Sequence, residues 1–130
     1  MKVACVSDDL QTISAHFGRA QHYVVVTIAD GKIVKREARD KLGHSHFVGQ
    51  ESHAHDAQHG MDPASHQRHT SMAEAIRDCE ALLAGGMGRG AYMSLERLGI
   101  KAVVTDETDI DAAVLAYAEG RIQNRTDRLH

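Results

Sequence analysis

The chain has 130 residues, 42% of them hydrophobic and 25% charged, with 15 Lys plus Arg against 18 Asp plus Glu. That length suits one domain with one core, and a net charge of −3 argues against a dedicated nucleic-acid binder, which carries a basic face. No apolar run approaches the roughly 18 residues of a membrane span. Met1-Lys2 leads directly into a short apolar run that cannot serve as a signal h-region, so a cytoplasmic protein is expected.

Lys2 to Val6 (KVACV) is a short apolar run that stops at Ser7-Asp8-Asp9 and reads as a buried strand. His16 to Ala20 (HFGRA) follows as a turn around Gly18. Tyr23 to Ile28 (YVVVTI) is rich in β-branched residues, and Asp30-Gly31 separates it from a second β-rich run beginning at Lys32. Asp-Gly between two such runs predicts a hairpin, so the second and third strands are expected to be antiparallel neighbours. From about Asp40 to Thr70 the periodicity is lost, and this stretch holds the single proline, Pro63. A connection this long without structure is either functional or disordered.

Order resumes near Ser71. Met72, Ala75, Ile76 and Cys79 recur at helical spacing, with Thr70 or Ser71 as cap and Glu74 placed for a capping box. Ala81 to Gly86 (ALLAGG) reads as a strand ending in glycines. Ala91, Leu95 and Leu98 line a helix stopped at Gly99, Ile100 to Thr105 form a strand, and Asp109 caps a helix carrying Ile110, Ala113, Val114 and Tyr117, stopped at Gly120. A polar, charged tail closes the chain. Alternating strand and helix implies parallel strands joined by right-handed crossovers. The expected fold is therefore a single α/β domain over residues 1–130. It has a five-stranded mixed sheet with one hairpin and three parallel strands, flanked by helices and interrupted by an insertion at about 40–70.

Histidine is the compositional anomaly, at 10 of 130 residues, whereas aromatic residues make up only 4%. Seven histidines fall within the insertion: His44, His46, His53, His55, His59, His66 and His69. Pairs two apart present both rings to one side of an extended chain, and pairs three or four apart do so on a helical turn. Neutral imidazole ligates Zn, Ni, Cu and Fe, so this stretch reads either as a metal-binding loop or as a solvated loop whose histidines only titrate. Cys5 and Cys79 form no paired motif; Cys5 reads as core, and Cys79 as either a buried thiol or a soft metal ligand.

Gly85 to Gly90 (GGMGRG) stands between a strand and a helix. Parallel sheets bind ligands beyond the carboxyl ends of their strands, and amide N–H groups of Gly85, Gly86, Gly88 and Gly90 at a helix start suit an anion. Met87 and Arg89 would project from this turn as a soft contact and a charge partner. The alternative is a tight turn that needs only glycine geometry. If the first and fourth strands are parallel, His16 and Arg19 join the same edge. Catalytic signatures are weak: the first strand carries no carboxylate, and Asp8, Asp9, Asp106, Asp109 and Asp111 lie at element ends, where carboxylates commonly cap and turn.

HFGRA after the first strand, GGMGRGAYMSLERLGIKAVVTD and IDAAVLAYAEGRI together resemble the dinitrogenase iron–molybdenum cofactor biosynthesis family. That family comprises small nitrogenase accessory proteins and the carboxy-terminal domain of the cofactor-assembly radical enzyme. The likeness covers nearly the whole chain except the His-rich stretch. It implies a ribonuclease-H-like fold and non-enzymatic binding or carrying of an iron–sulfur or iron–molybdenum cluster or precursor, in company with assembly or acceptor proteins. It also implies a cluster-ligating histidine, carried here onto His16, with Gly85 to Gly90 bordering the same pocket. Two cysteines are too few for a four-thiolate cluster site from one chain. The competing expectations are a His-loop buffer or sensor for Zn, Ni or Cu, using His44 to His69, and an Mg-dependent nuclease, which the fold alone does not license.

Overall fold

The computed structural model describes residues 1–41 and 73–129. The predicted helix cap at Thr70 or Ser71, Met72 and the seven histidines from His44 to His69 lie outside the described residues. Five strands form one sheet: β1 (Lys2–Ser7), β2 (His22–Ala29), β3 (Lys32–Asp40), β4 (Ala81–Ala84) and β5 (Lys101–Val104). Their spatial order is β3-β2-β1-β4-β5. β1 and β2 are antiparallel, as are β2 and β3, while β1 pairs parallel with β4 and β4 with β5. The expected hairpin and three parallel strands are both present. Asp30 and Gly31 both have positive φ, 54° and 74°, the backbone that matches the twist of a two-residue hairpin.

The strands β1, β4 and β5 take part in the core along almost their whole length, as parallel strands with covered faces do: Val3, Ala4, Cys5, Ala81, Leu82, Leu83, Ala102 and Val104 are buried. β3, at the sheet's outer edge, is mostly exposed or half-buried. Two regular helices follow the alternation read from sequence, α1 (Arg89–Arg97) after β4 and α2 (Ile110–Ala118) after β5. Asp109 caps α2 as expected, its carboxylate accepting the Ala112 N–H at 2.8 Å. The expected helix before β4 is reduced to a single helical turn at Ala73 and Glu74, continued by three-residue hydrogen-bonded turns from Ile76 to Ala73 and from Cys79 to Ile76. Of its expected apolar positions Ile76 and Cys79 are buried and Ala75 is half-buried, and Ala73 is buried beside them.

Arg39 anchors this segment to the sheet. Its guanidinium donates to both carboxylate oxygens of Asp78, at 2.7 and 2.9 Å, and to the Ala75 carbonyl at 3.0 Å. Paired with Arg39, Asp78 has its carboxyl held well below the usual carboxylate range. The polar tail is also structural. Asn124 accepts the Val104 N–H at 2.9 Å and donates to the Ala102 carbonyl at 3.1 Å, so a side chain mimics a sixth strand along the free edge of β5.

Candidate functional site

Parallel pairing of β1, β4 and β5 brings their carboxyl ends to one edge. Three loops meet there: residues 8–21 after β1, residues 85–88 after β4 and residues 105–109 after β5. The first loop is held open by its own polar groups. Ser7 Oγ donates to the Thr12 carbonyl at 2.6 Å, and Asp9 accepts N–H bonds from Thr12 at 2.7 Å and Gln11 at 2.9 Å. Those bonds, the Thr12 amide first, pull the Asp9 carboxyl down to about 2. The loop is then stitched to its neighbours. Ile13 N–H donates to the Thr108 carbonyl at 2.7 Å, Gly85 N–H to the Ser14 carbonyl at 2.8 Å, and Phe17 N–H to the Gly86 carbonyl at 2.9 Å.

The sequence reading therefore places His16, Arg19 and the Gly85–Gly90 turn on one edge, and the backbone brings the two segments into direct contact. The glycines divide their labour in a way that reading does not anticipate. A Cβ on Gly85 would lie 2.9 Å from the Ala15 Cα, and one on Gly86 only 2.7 Å from the Ala15 carbonyl oxygen. These two positions need glycine so that the chain can approach itself, and that space is filled by Ala15. Gly88 is the residue that opens α1, in extended backbone, with no side chain capping the helix. Arg89 and Gly90 follow it and are exposed. The first amide groups of α1 have no intrahelical partner and no side-chain cap.

Met87 corrects an expectation. It is 1% exposed and belongs to the core, so its thioether does not project from the turn; burying an apolar side chain under the loops wins over displaying it. Phe17, 2% exposed, plugs the core below the loop, with its ring 6.4 Å from that of Tyr23. His16 and Arg19 remain exposed on the outer side of the same turn. The His16 carbonyl accepts the Ala20 N–H at 3.1 Å, which winds residues 16–20 into one tight turn.

Cys79 does not join this edge. It precedes β4, which is four residues long, or about 13 Å of strand, so it sits toward the opposite end of the sheet from Gly85. Burial and the adjacent Asp78 carboxylate push its thiol up to about 12, and burial raises Cys5 further still. Burial thus favours the neutral thiol at both cysteines in the metal-free protein. Among the described residues no group of three His, Cys, Asp or Glu side chains converges on a metal-sized site. The carboxylates at the edge are engaged locally: Asp9 in its turn, Asp109 in its cap, and Asp106 with Arg125 at 2.6 Å. Sequence reasoning misses Lys41, which it assigns to the irregular stretch. Lys41 is 1% exposed, and its Nζ lies 4.5 Å from the centre of the Phe17 ring. A lone lysine after a charged run carries no sequence signal of burial.

A sequence model of the family described as dinitrogenase iron-molybdenum cofactor matches residues 1–120. The chain belongs to that family. The uncharacterized protein MJ0580 of Methanocaldococcus jannaschii is 26% identical over 123 residues, covering 95% of this chain and 90% of that one. Among solved structures, PH0822 superposes with a TM-score of 0.68 at 21% identity, covering 98% of both chains. The apo form of the orange protein from Desulfovibrio gigas gives 0.66 at 22% identity, covering 96% of this chain and 92% of that one. At such identities the superpositions establish a shared fold. Among the described residues no helix is long and apolar enough to cross a membrane.

Proposed function

We propose that this protein is a non-enzymatic carrier of an iron–sulfur or iron–molybdenum cluster, or of its precursor, working in the cytoplasm with cluster-assembly or acceptor proteins. Membership of the dinitrogenase iron-molybdenum cofactor family, matched over residues 1–120, supports the cargo class, and the ribonuclease-H-like label belongs to the same reading. The observation that carries the site is the pair of backbone bonds from Gly85 to Ser14 and from Phe17 to Gly86. They hold the turn bearing exposed His16 and Arg19 against the segment that opens α1.

The chemistry suits a cargo that must leave again. Sulfide-bridged clusters are anionic. The α1 amide groups at Gly88 to Gly90 and the guanidinium groups of Arg19 and Arg89 supply positive potential without covalent commitment. His16 supplies one exchangeable imidazole ligand. The two cysteines, both buried and away from this edge, are not ligands in this reading, so the remaining coordination comes from exogenous sulfide or from a second protein. The test is anaerobic titration with ferrous iron and sulfide, and separately with tetrathiomolybdate, followed by visible absorbance. Wild type develops saturable charge-transfer bands, and His16→Ala and Arg19→Ala weaken them. Absence of any saturable change in wild type, or equal uptake by His16→Ala, refutes this site.

A further inference from the structure

The buried amine of Lys41 is the one strongly placed group at this edge that the carrier reading does not use. Lys41 follows β3, whose last residue, Asp40, is paired with His22 at the start of β2, which is paired in turn with Ser7 of β1. It therefore sits at the carboxyl edge, on the far side of Phe17 from Gly86. Its residue is 1% exposed, and among the described residues its Nζ has no hydrogen-bond partner. A buried ammonium has three donors to satisfy and is costly to leave unpaired. Among the described residues its compensation is the face of Phe17 at 4.5 Å and the charge of Asp8, both weak substitutes for a bound anion.

Lys41 also lines a cleft of about 270 Å³, together with Gly18, Arg19, Ala20, Gln21, His22 and Asp40. The charged and titratable groups around it are Asp8 from the loop after β1, Arg19 from the tight turn, His22 from β2 and Asp40 from β3. Neither carboxylate closes an ion pair with Lys41: Asp8 accepts the Gln21 N–H at 3.1 Å, and Asp40 faces His22 Nδ1 at 3.6 Å. The cleft therefore has in its wall a lysine whose buried ammonium closes no ion pair with either carboxylate, although the Asp8 charge acts on it, and an exposed guanidinium, Arg19, whose planar fork matches tetrahedral oxyanions. Its volume admits such an anion with part of its hydration shell.

We infer that the cleft between residues 18–22 and the end of β3 is a binding site for a small tetrahedral inorganic anion, held by the Lys41 ammonium with Arg19 above it. This goes beyond the carrier reading, since it requires no cluster and no transition metal. Arg19 is common to both sites, so an anion in the cleft would sit beside cargo held at His16.

The test uses metal-free full-length protein with inorganic phosphate and, separately, sulfate, against sodium chloride matched in ionic strength. Lysine side-chain NMR follows Lys41 directly, and calorimetry measures affinity. Burial lowers the Lys41 ammonium to about 8 in the free protein. A bound anion favours the charged form, so the Lys41 midpoint rises on saturation, and affinity falls as pH climbs through that midpoint. Saturable binding of either anion supports the site. Lys41→Met should weaken it by about tenfold or more, the scale of one lost charge-assisted hydrogen bond, and Lys41→Arg should restore most of it. Failure of both anions to bind, an equal response to chloride, or equal affinity in Lys41→Met overturns the inference. If Lys41→Met does not fold, the wild-type spectrum decides: a Lys41 resonance unmoved at saturating anion is a refutation. Because no iron or sulfide is present, this result stands apart from the cluster titration.

Discussion

Gly86→Ala probes the contact on which the site is built. The added methyl would lie 2.7 Å from the Ala15 carbonyl oxygen, a distance real Cβ atoms do not tolerate, and the obstacle is backbone that cannot rotate away. Either β4 or residues 14–17 must shift. Forced overpacking of this kind costs about 1–3 kcal/mol. The shift would also lengthen the Phe17-to-Gly86 and Gly85-to-Ser14 bonds, 2.9 and 2.8 Å long, each contributing about 1 kcal/mol. A total near 3 kcal/mol is expected. With an unfolding entropy of about 2.1 cal/mol/K per residue, this lowers Tm by about 11 °C. Gly18→Ala is the control: it lies in the neighbouring turn, a Cβ there meets nothing within 4 Å, and its effect should stay within about 0.5 kcal/mol. Urea denaturation and thermal melts of both variants provide the measurement. A Gly86→Ala variant as stable as Gly18→Ala would show that Ala15 does not press against the turn, and the argument placing His16 beside α1 would fall with it.

Two further outcomes follow from the packing. Asp78→Asn removes the acceptor that holds Arg39 and Lys2. The folded carboxyl titrates below its unfolded value, so its contribution is present above about pH 4 and is lost as pH falls further. Because the pair is partly solvent-screened, the cost at pH 7 should be about 1 kcal/mol and should shrink progressively in urea melts as pH falls below about 4; a cost independent of pH would contradict the ion-pair assignment. Asn124→Ala uncovers the outer edge of β5, where Asn124 makes bonds of 2.9 and 3.1 Å, and should cost about 2 kcal/mol. Hydrogen exchange at the Val104 amide should accelerate selectively, and unchanged protection there would refute the capping role.

Much of the fold was legible in local chemistry. Asp30-Gly31 dictates a hairpin because two successive residues must take positive φ. The apolar runs of β1, β4 and β5 announce strands covered on both faces. Gly99 and Gly120 mark where α1 and α2 stop. The segment before β4 shows the limit of periodicity: Ile76 and Cys79 are buried and Ala75 half-buried on the expected stripe, yet the backbone completes only one helical turn there. Burial spacing is satisfied equally by a helix and by a chain of tight turns, so the pattern alone does not choose between them.

The site was legible in part. Strand alternation was enough to put His16, Arg19 and the Gly85–Gly90 turn on one edge, since parallel strands end together. Pattern could not say which glycines face a ligand and which face the chain itself, because that depends on Ala15, some seventy residues away in sequence. The same holds for Met87, drawn inward, for Asn124, recruited to a strand edge, and for Lys41, sealed beneath a loop against Phe17. Composition and periodicity determine which segments become strands and helices, because those preferences are set by neighbours a few residues apart. Which polar groups are left without partners is decided only when distant segments pack, because desolvation is a property of the assembled surroundings and of no single stretch of chain.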